Sequence, residues 1–381
     1  MTGLETFPNP DLVVGDDHKQ QWMRAAFRRN GFHNADRLFR RARSFRAARV
    51  LALEESYCPK LMGLDATRRL SEQPYLSALV VARGNEILLE VRAPDFPVSQ
   101  THSIQSVTKL HIHLMVGWLI AEGRIDPTLP VSRVLPDIGD GYRHVTVQDL
   151  LDMQVVNDFS EDYSDPNADC YREEVALGWR LPPQGESESG LSDFAHGIGG
   201  AGVRAGDGVV HYKSVNTDVL TLICSQVSPV PLEQLIEAVV SAAGYEGAFH
   251  ISISPDGYPA FSGGGCLTAR DAVRLGLLFA RWGAGPDGST MFNGAFLRKS
   301  IERSAPRFKP PRQHVRYSNH LMTNGVWVGH AGYGGQFVMA DPNRGVAAAF
   351  LSVLDNESGY DERYMENVVR DLDTVISSVG A

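Results

Sequence analysis

The chain has 381 residues, 43% of them hydrophobic and 21% charged, the composition of an ordinary soluble globular protein with an ample core. Lys and Arg total 36 against 45 Asp and Glu, for a net charge of -9. That balance argues against a nucleic-acid partner, because no excess positive charge is available to neutralise phosphates.

The opening stretch, "MTGLETFPNPDLVVGDDHKQQ", lacks a basic segment followed by an apolar run, so it does not read as a secretory signal. The expected compartment is the cytoplasm, with reduced thiols. No apolar run is long enough to span a bilayer, so no membrane association is expected. The Arg-rich run that follows reads as an amphipathic helix with a solvated Arg face, carrying Leu38, Phe39 and Phe45 on its apolar side. Residues 1–70 are thus expected to form a helical N-terminal arm of unassigned role. Four cysteines, Cys58, Cys170, Cys224 and Cys266, lie far apart without a Cys-x-x-Cys pair, so neither a zinc site nor a redox pair is indicated.

"YLSALVVARGNEILLEVRA", from Tyr75 to Ala93, reads as a β-hairpin turning at Arg83, Gly84 and Asn85. An apolar helix is expected from about Ser106, stopped by Gly123. Helices and long polar loops follow, including "VTVQDLLDM" and "SVNTDVLTLICSQV". β character returns in "VWVGHAGYGGQFVMADPNRGVAAAFLSVL", and a last helix, "ERYMENVVRDLDTVISSV", closes the chain. Strands near both ends with helices between them imply an α+β fold. Residues 71–125 and 245–381 would build an antiparallel sheet flanked by helices, and residues 126–244 an inserted, mostly helical subdomain. A cleft between the two is the natural place for a site.

The apolar helix opens with a hydroxyl and an ammonium, Ser106 and Lys109, spaced i, i+3 so that both lie on one face. A serine hydroxyl needs a base to become a nucleophile. A lysine desolvated by the apolar residues behind it can be that base, and the helix N-terminus would stabilise a developing oxyanion. On spacing alone, an exposed lysine beside a surface serine is the competing reading. Tyr212 and Ser214, in "HYKSVNTDVL", precede a helix, where a tyrosine near an ammonium could exchange protons with a leaving group. A packed tyrosine is the alternative there. In "GHAGYGGQ", Ala331 and Gly332 would let a substrate approach a strand whose N–H groups could hold an oxyanion. Its glycines do not make a dinucleotide loop, because a strand follows rather than a helix.

Ser-x-x-Lys, then Tyr-x-Ser, then His-Ala-Gly, in that order, resembles the serine β-lactamase-like hydrolases: class C β-lactamases, DD-peptidases and related esterases and amide hydrolases. The pattern looks most like the 6-aminohexanoate-dimer hydrolase group, from about Tyr75 to the C-terminus. The resemblance implies a β-lactamase/penicillin-binding-protein-like fold. It implies Ser106 as acylated nucleophile, Lys109 as its base and Tyr212 as proton carrier to the leaving group. Backbone N–H groups of Ser106 and Tyr333 would form the oxyanion hole. Ser214, His330, Gly332, Asp165 and Cys266 are the expected substrate-binding residues. Ser214 stands where these relatives usually have Asn, and His330 where a β-lactamase has Lys. Both departures favour an esterase or linear-amide hydrolase over a β-lactamase, and Asn216 is a candidate substitute for the missing amide.

His102, His111 and His113 flank the serine, but His111 and His113 are i, i+2 and point to different helix faces. The acidic loop of Glu161, Asp162, Asp165 and Asp169 lacks EF-hand spacing and reads as a solvated rim. No metal or organic cofactor is implied. The expected partner is a small amide or ester, and a homodimer is compatible with this reading. An acyltransferase of the same fold and a non-catalytic ligand-binding module are the alternatives.

Overall fold

Leu76–Arg83, Gln336–Asp341 and Val346–Ser352 are buried along nearly their whole length. Only central strands covered on both faces tolerate such runs. The computed structural model describes residues 23–163, 165–289, 292 and 294–380, and it places these runs side by side at the centre of one sheet. The opening segment, residues 1–22, lies outside the described residues, and with it the part of the expected arm read for a signal.

The strands in chain order are β1 Ala42–Arg46, β2 Glu54–Glu55, β3 Leu76–Arg83, β4 Glu86–Arg92, β5 Thr101–Ser103, β6 Val155–Val156, β7 Val203–Arg204, β8 Ala248–Ser252, β9 Gly265–Thr268, β10 Arg316–Ser318, β11 Leu321–Thr323, β12 Val328–Gly332, β13 Gln336–Asp341 and β14 Val346–Ser352. The large sheet runs β10-β11-β12-β13-β14-β3-β4-β2, a smaller one β1-β8-β9-β5, and β6 pairs with β7. β3 and β4 form the expected hairpin. The antiparallel pairing of β14 with β3 sets Val80 opposite Ala349 and joins the two ends of the chain.

Side chains alternate between faces along a strand, and the two faces of the large sheet carry different helices. Val80, Ala347 and Ala349 share a core with the helix Ala269–Ala280, whereas Leu79, Val81, Ala348 and Phe350 pack with the closing helix Glu362–Ser378. The helix Lys109–Ala121 is buried almost all round and packs on the helix Val215–Val227. Short helices and the β6–β7 ribbon occupy most of the chain between them. Among the described residues, no single helix is long and apolar enough to cross a membrane.

The N-terminal region departs from the expected amphipathic helix. Helices span Ala25–His33 and Ala35–Leu38, but Phe45 lies on β1, directly opposite Phe249 of β8. Pairing with the edge of β8 overrides helical propensity there. The Arg face is not simply solvated either, since Arg40 and Arg41 both pair with Glu188 and Arg43 pairs with Glu233.

The helix Ala269–Ala280 lies so close to the sheet that a Cβ on Gly276 would come within 2.8 Å of the Ala347 Cβ and 3.2 Å of Val338 Cγ1. Gly276→Val is therefore expected to destabilise the protein by about 1–3 kcal/mol through overpacking. A lowered urea midpoint with an unchanged slope is the predicted result, and an unchanged midpoint would contradict this packing.

Candidate active site

β5 ends at Ser103, and the chain turns sharply into the buried helix. Ile104 donates its N–H to the Gly265 carbonyl at 3.0 Å, which ties the turn to β9. Gln105 takes a positive φ of 48°, a costly conformation outside glycine that persists only when its surroundings enforce it. Its side chain donates to Ser103 Oγ at 2.7 Å, Thr108 Oγ1 donates to the Gln105 carbonyl at 2.6 Å, and the Gly265 N–H donates to Thr108 Oγ1 at 3.1 Å. Gln105–Thr108 is a single 3₁₀ turn, and it presents Ser106 at the head of the helix Lys109–Ala121.

Lys109 is fully buried. Its Nζ donates to Ser106 Oγ at 2.9 Å, to Ser214 Oγ at 3.2 Å and to the Ser262 carbonyl. Ser106 Oγ also lies 3.3 Å from the Ser262 carbonyl. Ser214 Oγ donates onward to Glu161 Oε1 at 2.8 Å, and its N–H donates to the other oxygen of that carboxylate. The Tyr212 ring faces this cluster, its centroid 5.2 Å from Lys109 Nζ. Ser106, Lys109, Tyr212 and Ser214 thus come together as the sequence leads one to expect.

Two cavities meet at Ser106 and share Tyr163, Tyr333 and Ser358 as walls. One, of about 350 Å³, is lined by Glu173, Glu174, Trp179 and Ser214. The other, of about 480 Å³, is lined by Tyr212, Phe308, Met322, Ala331 and Tyr360, with Glu161 and Asp162 on its rim. Tyr333 directly follows β12, whose end is pressed onto the serine turn. A Cβ on Gly332 would lie 2.6 Å from the Ile104 carbonyl.

Other expected contacts are placed elsewhere. Gly332 gives its close approach to Ile104 and Gln336, leaving Ala331 to face the cavity. His330 is fully buried behind that wall. Its Nδ1 donates to the Ala331 carbonyl at 2.6 Å, which leaves Nε2 to accept from the Tyr317 hydroxyl at 3.0 Å. Burial first, and the Lys109 charge second, push its pKa down to about 3. It is therefore a neutral support for the wall and cannot meet a substrate carboxylate. Cys266 is fully buried in β9 among Phe32, Ala35 and Val353, and burial drives its thiol pKa well up. Asp165 is exposed and accepts the Asn167 N–H at 2.9 Å, outside both cavities. Asn216 is buried and accepts from the Tyr142 hydroxyl at 2.8 Å, so it does not replace the missing amide.

The flanking histidines are structural. His102 contacts Ser77 Oγ at 3.1 Å, His111 stacks on Phe249 at 4.4 Å, and His113 donates to the Asn319 carbonyl at 2.6 Å. Burial lowers all three pKa values, to about 4 for His111 and His113.

Three participants have no motif to announce them. Ser262 acts through its carbonyl, which side-chain patterns do not report. Glu173 and Asp218 are a buried carboxyl pair beside Lys109. Glu173 Oε1, both Asp218 oxygens and Ser262 Oγ lack a hydrogen bond of good geometry among the described residues. Asp218 falls four residues after Ser214, on the same helix face. A carboxylate on that otherwise buried helix is the signal that could have found it.

Burial pushes both carboxyls up, Glu173 well above its usual value and Asp218 to about 6 from 3.8. A group that holds its proton more tightly when folded stabilises fully below its unfolded pKa, and this contribution fades as pH rises through the folded one. Asp218→Asn, neutral at every pH, is expected to flatten the fall in thermal stability between pH 4 and 7. An equally steep fall in the variant would contradict this.

A sequence model of the β-lactamase family matches residues 74–369. The chain is 30% identical over 301 residues to the 6-aminohexanoate-dimer hydrolase of Paenarthrobacter ureafaciens, covering 77% of this chain and 75% of that protein. Among solved structures, a Bacillus anthracis protein named for 6-aminohexanoate-dimer hydrolase superposes with a TM-score of 0.79 at 17% identity, covering 98% of each chain. A penicillin-binding protein homologue from Caulobacter crescentus gives 0.59 at 18% identity, over 83% of this chain and 99% of that one.

Proposed function

The chain belongs to the β-lactamase family, as a hydrolase of amide or ester bonds, and we propose that it cleaves a small linear substrate through a covalent acyl-enzyme on Ser106. The observation that carries this reading is the contact of the buried Lys109 Nζ with Ser106 Oγ at 2.9 Å, where two cavities meet. A hydroxyl and a base within hydrogen-bond reach are what nucleophilic catalysis requires.

In the proposed cycle, Ser106 Oγ attacks the substrate carbonyl carbon and its proton passes to Lys109 Nζ. The carbonyl oxygen, now negative, is held by the N–H groups of Ser106 and Tyr333. Such preorganised donors commonly supply the largest part of the rate enhancement. The C–N or C–O bond then breaks, and Tyr212 delivers a proton to the departing nitrogen or oxygen, with Lys109 resupplying it. Water enters, gives its proton to the Tyr212–Lys109 pair and attacks the ester. The acid leaves, and the proton returns to Ser106.

The side of the cleft that holds each half of the substrate follows from this chemistry. A proton donor to the leaving group must stand beside it, so the Tyr212 cavity takes the leaving group and the Glu173 cavity the acyl group. The leaving-group walls are largely apolar, from Phe308, Met322, Ala331 and Tyr360. Arg312 also lines that cavity, but Glu362 and the Tyr360 hydroxyl already engage its guanidinium. An uncharged amine or alcohol portion fits there better than an anionic one. The 6-aminohexanoate dimer in the name of the 30%-identical relative agrees with a cleft made of two cavities that meet at Ser106.

Ser106→Ala is expected to abolish turnover of a short nitrophenyl ester and of a linear aminohexanoyl amide without loss of folding. Lys109→Ala should lower kcat by roughly three orders of magnitude or more, since members of a nucleophile–base unit act together. Steady-state kinetics on both substrates check this, and near-normal rates in Ser106→Ala would refute the covalent route.

A further inference from the structure

The helix Ala25–His33 lies before the stretch shared with the β-lactamase family, residues 74–369, yet one of its side chains reaches the cleft. Arg28 is 1% exposed. Its guanidinium donates to the carbonyls of Leu354 at 2.6 Å, Asn356 at 2.7 Å and Glu357 at 3.0 Å, and its Nε to Met23 at 2.9 Å. Three of its bonds therefore gather the carbonyls of residues 354, 356 and 357, in one partly exposed loop, residues 354–360, around a single planar group. Only a guanidinium has enough rigid donors to do this.

The same loop grips Tyr333. The Tyr333 hydroxyl donates to the Ser358 carbonyl at 2.7 Å, and the Gly334 N–H donates to the Gly359 carbonyl at 3.1 Å. The Arg28 guanidinium carbon lies 5.6 Å from the centre of the Tyr333 ring. Gly359, at a φ of 64°, fits so closely that a Cβ would fall 2.1 Å from the Tyr333 hydroxyl and 2.9 Å from the Arg28 guanidinium carbon. Tyr333 needs this support, because Gly334 and Gly335 follow it with φ of 82° and 103°. Glycine backbone has wide freedom, so neighbours rather than local preference must fix Tyr333.

We propose that Arg28 is a positioning residue of the reaction: by holding loop 354–360 against Tyr333, it sets where the Tyr333 N–H meets the oxyanion. The inference rests on the role given above to that N–H. It assigns the N-terminal helix a part in building the site. Displacing one donor by an ångström is enough to cost much of its effect on the transition state while leaving substrate binding nearly unchanged.

The test compares wild type, Arg28→Ala, Arg28→Lys and Gly359→Ala. Two rates are read: labelling of Ser106 by a fluorophosphonate, and kcat and KM on a nitrophenyl ester. Arg28→Ala and Arg28→Lys are expected to lower labelling and kcat together by about tenfold to hundredfold, with KM within about threefold of wild type. Low millimolar guanidinium should recover Arg28→Ala severalfold and leave wild type unaffected. Gly359→Ala, whose Cβ would meet both Tyr333 and Arg28, should reproduce the loss without responding to guanidinium, and Arg28→Lys keeps the inference testable should Arg28→Ala not fold. Folded variants with rates within about twofold of wild type, or a change confined to KM, would overturn the inference. If wild type itself is not labelled, the assignment of Ser106 fails and this inference falls with it. Normal wild-type labelling beside unaffected variants would refute the inference alone.

Discussion

A fully buried lysine amine organises this molecule. Burying an amino group without hydrogen-bond partners costs several kcal/mol, so the three oxygens around Lys109 Nζ are a folding requirement before they are a catalytic one. They come from Ser106, Ser214 and Ser262, in three separate segments. Satisfying one side chain therefore brings together the turn after β5, the head of the helix Val215–Val227 and the loop before β9. The serine hydroxyl that would react is one of those three partners, so the same contact serves the core and the chemistry.

The polar groups around that contact divide by sign and by role. Glu161 orients Ser214 from the rim through both its hydroxyl and its N–H. Glu173 and Asp218 sit deeper, beside Lys109, with pKa values raised chiefly by burial. The buried histidines around the cleft, His102, His111, His113 and His330, have pKa values lowered by burial and are spent on structure. His330 illustrates this best, since its ring braces the β12 wall between the Ala331 carbonyl and the Tyr317 hydroxyl. The cavity beside Tyr212 is walled largely by apolar side chains and the Tyr212 ring, and the Arg312 that also lines it is engaged by Glu362 and Tyr360.

Much of this was legible in the sequence, for identifiable reasons. Hydrophobic runs bounded by Arg83-Gly84-Asn85 and by Asp341 to Gly345 marked the hairpins of the large sheet, because strand periodicity and turn chemistry are local. The i, i+3 spacing of Ser106 and Lys109 is local too. What escaped depends on distant packing. Phe45 joined a strand because β8 offered an edge. His330 sits one residue from Ala331, which faces the cleft, and strand alternation turned it inward, while Cys266 is enclosed by Phe32, Ala35 and Val353. The Ser262 carbonyl and the Glu173–Asp218 pair become visible only once the segments have met.

The central claim is that Ser106 becomes acylated. The most direct measurement is intact-protein mass spectrometry after rapid quenching of a reaction with a slowly hydrolysed ester, followed by mapping of the modified peptide. The account predicts a transient mass increase equal to the acyl group, carried by the peptide containing Ser106 and absent from Ser106→Ala. Turnover with no adduct, or an adduct on another residue, would contradict it.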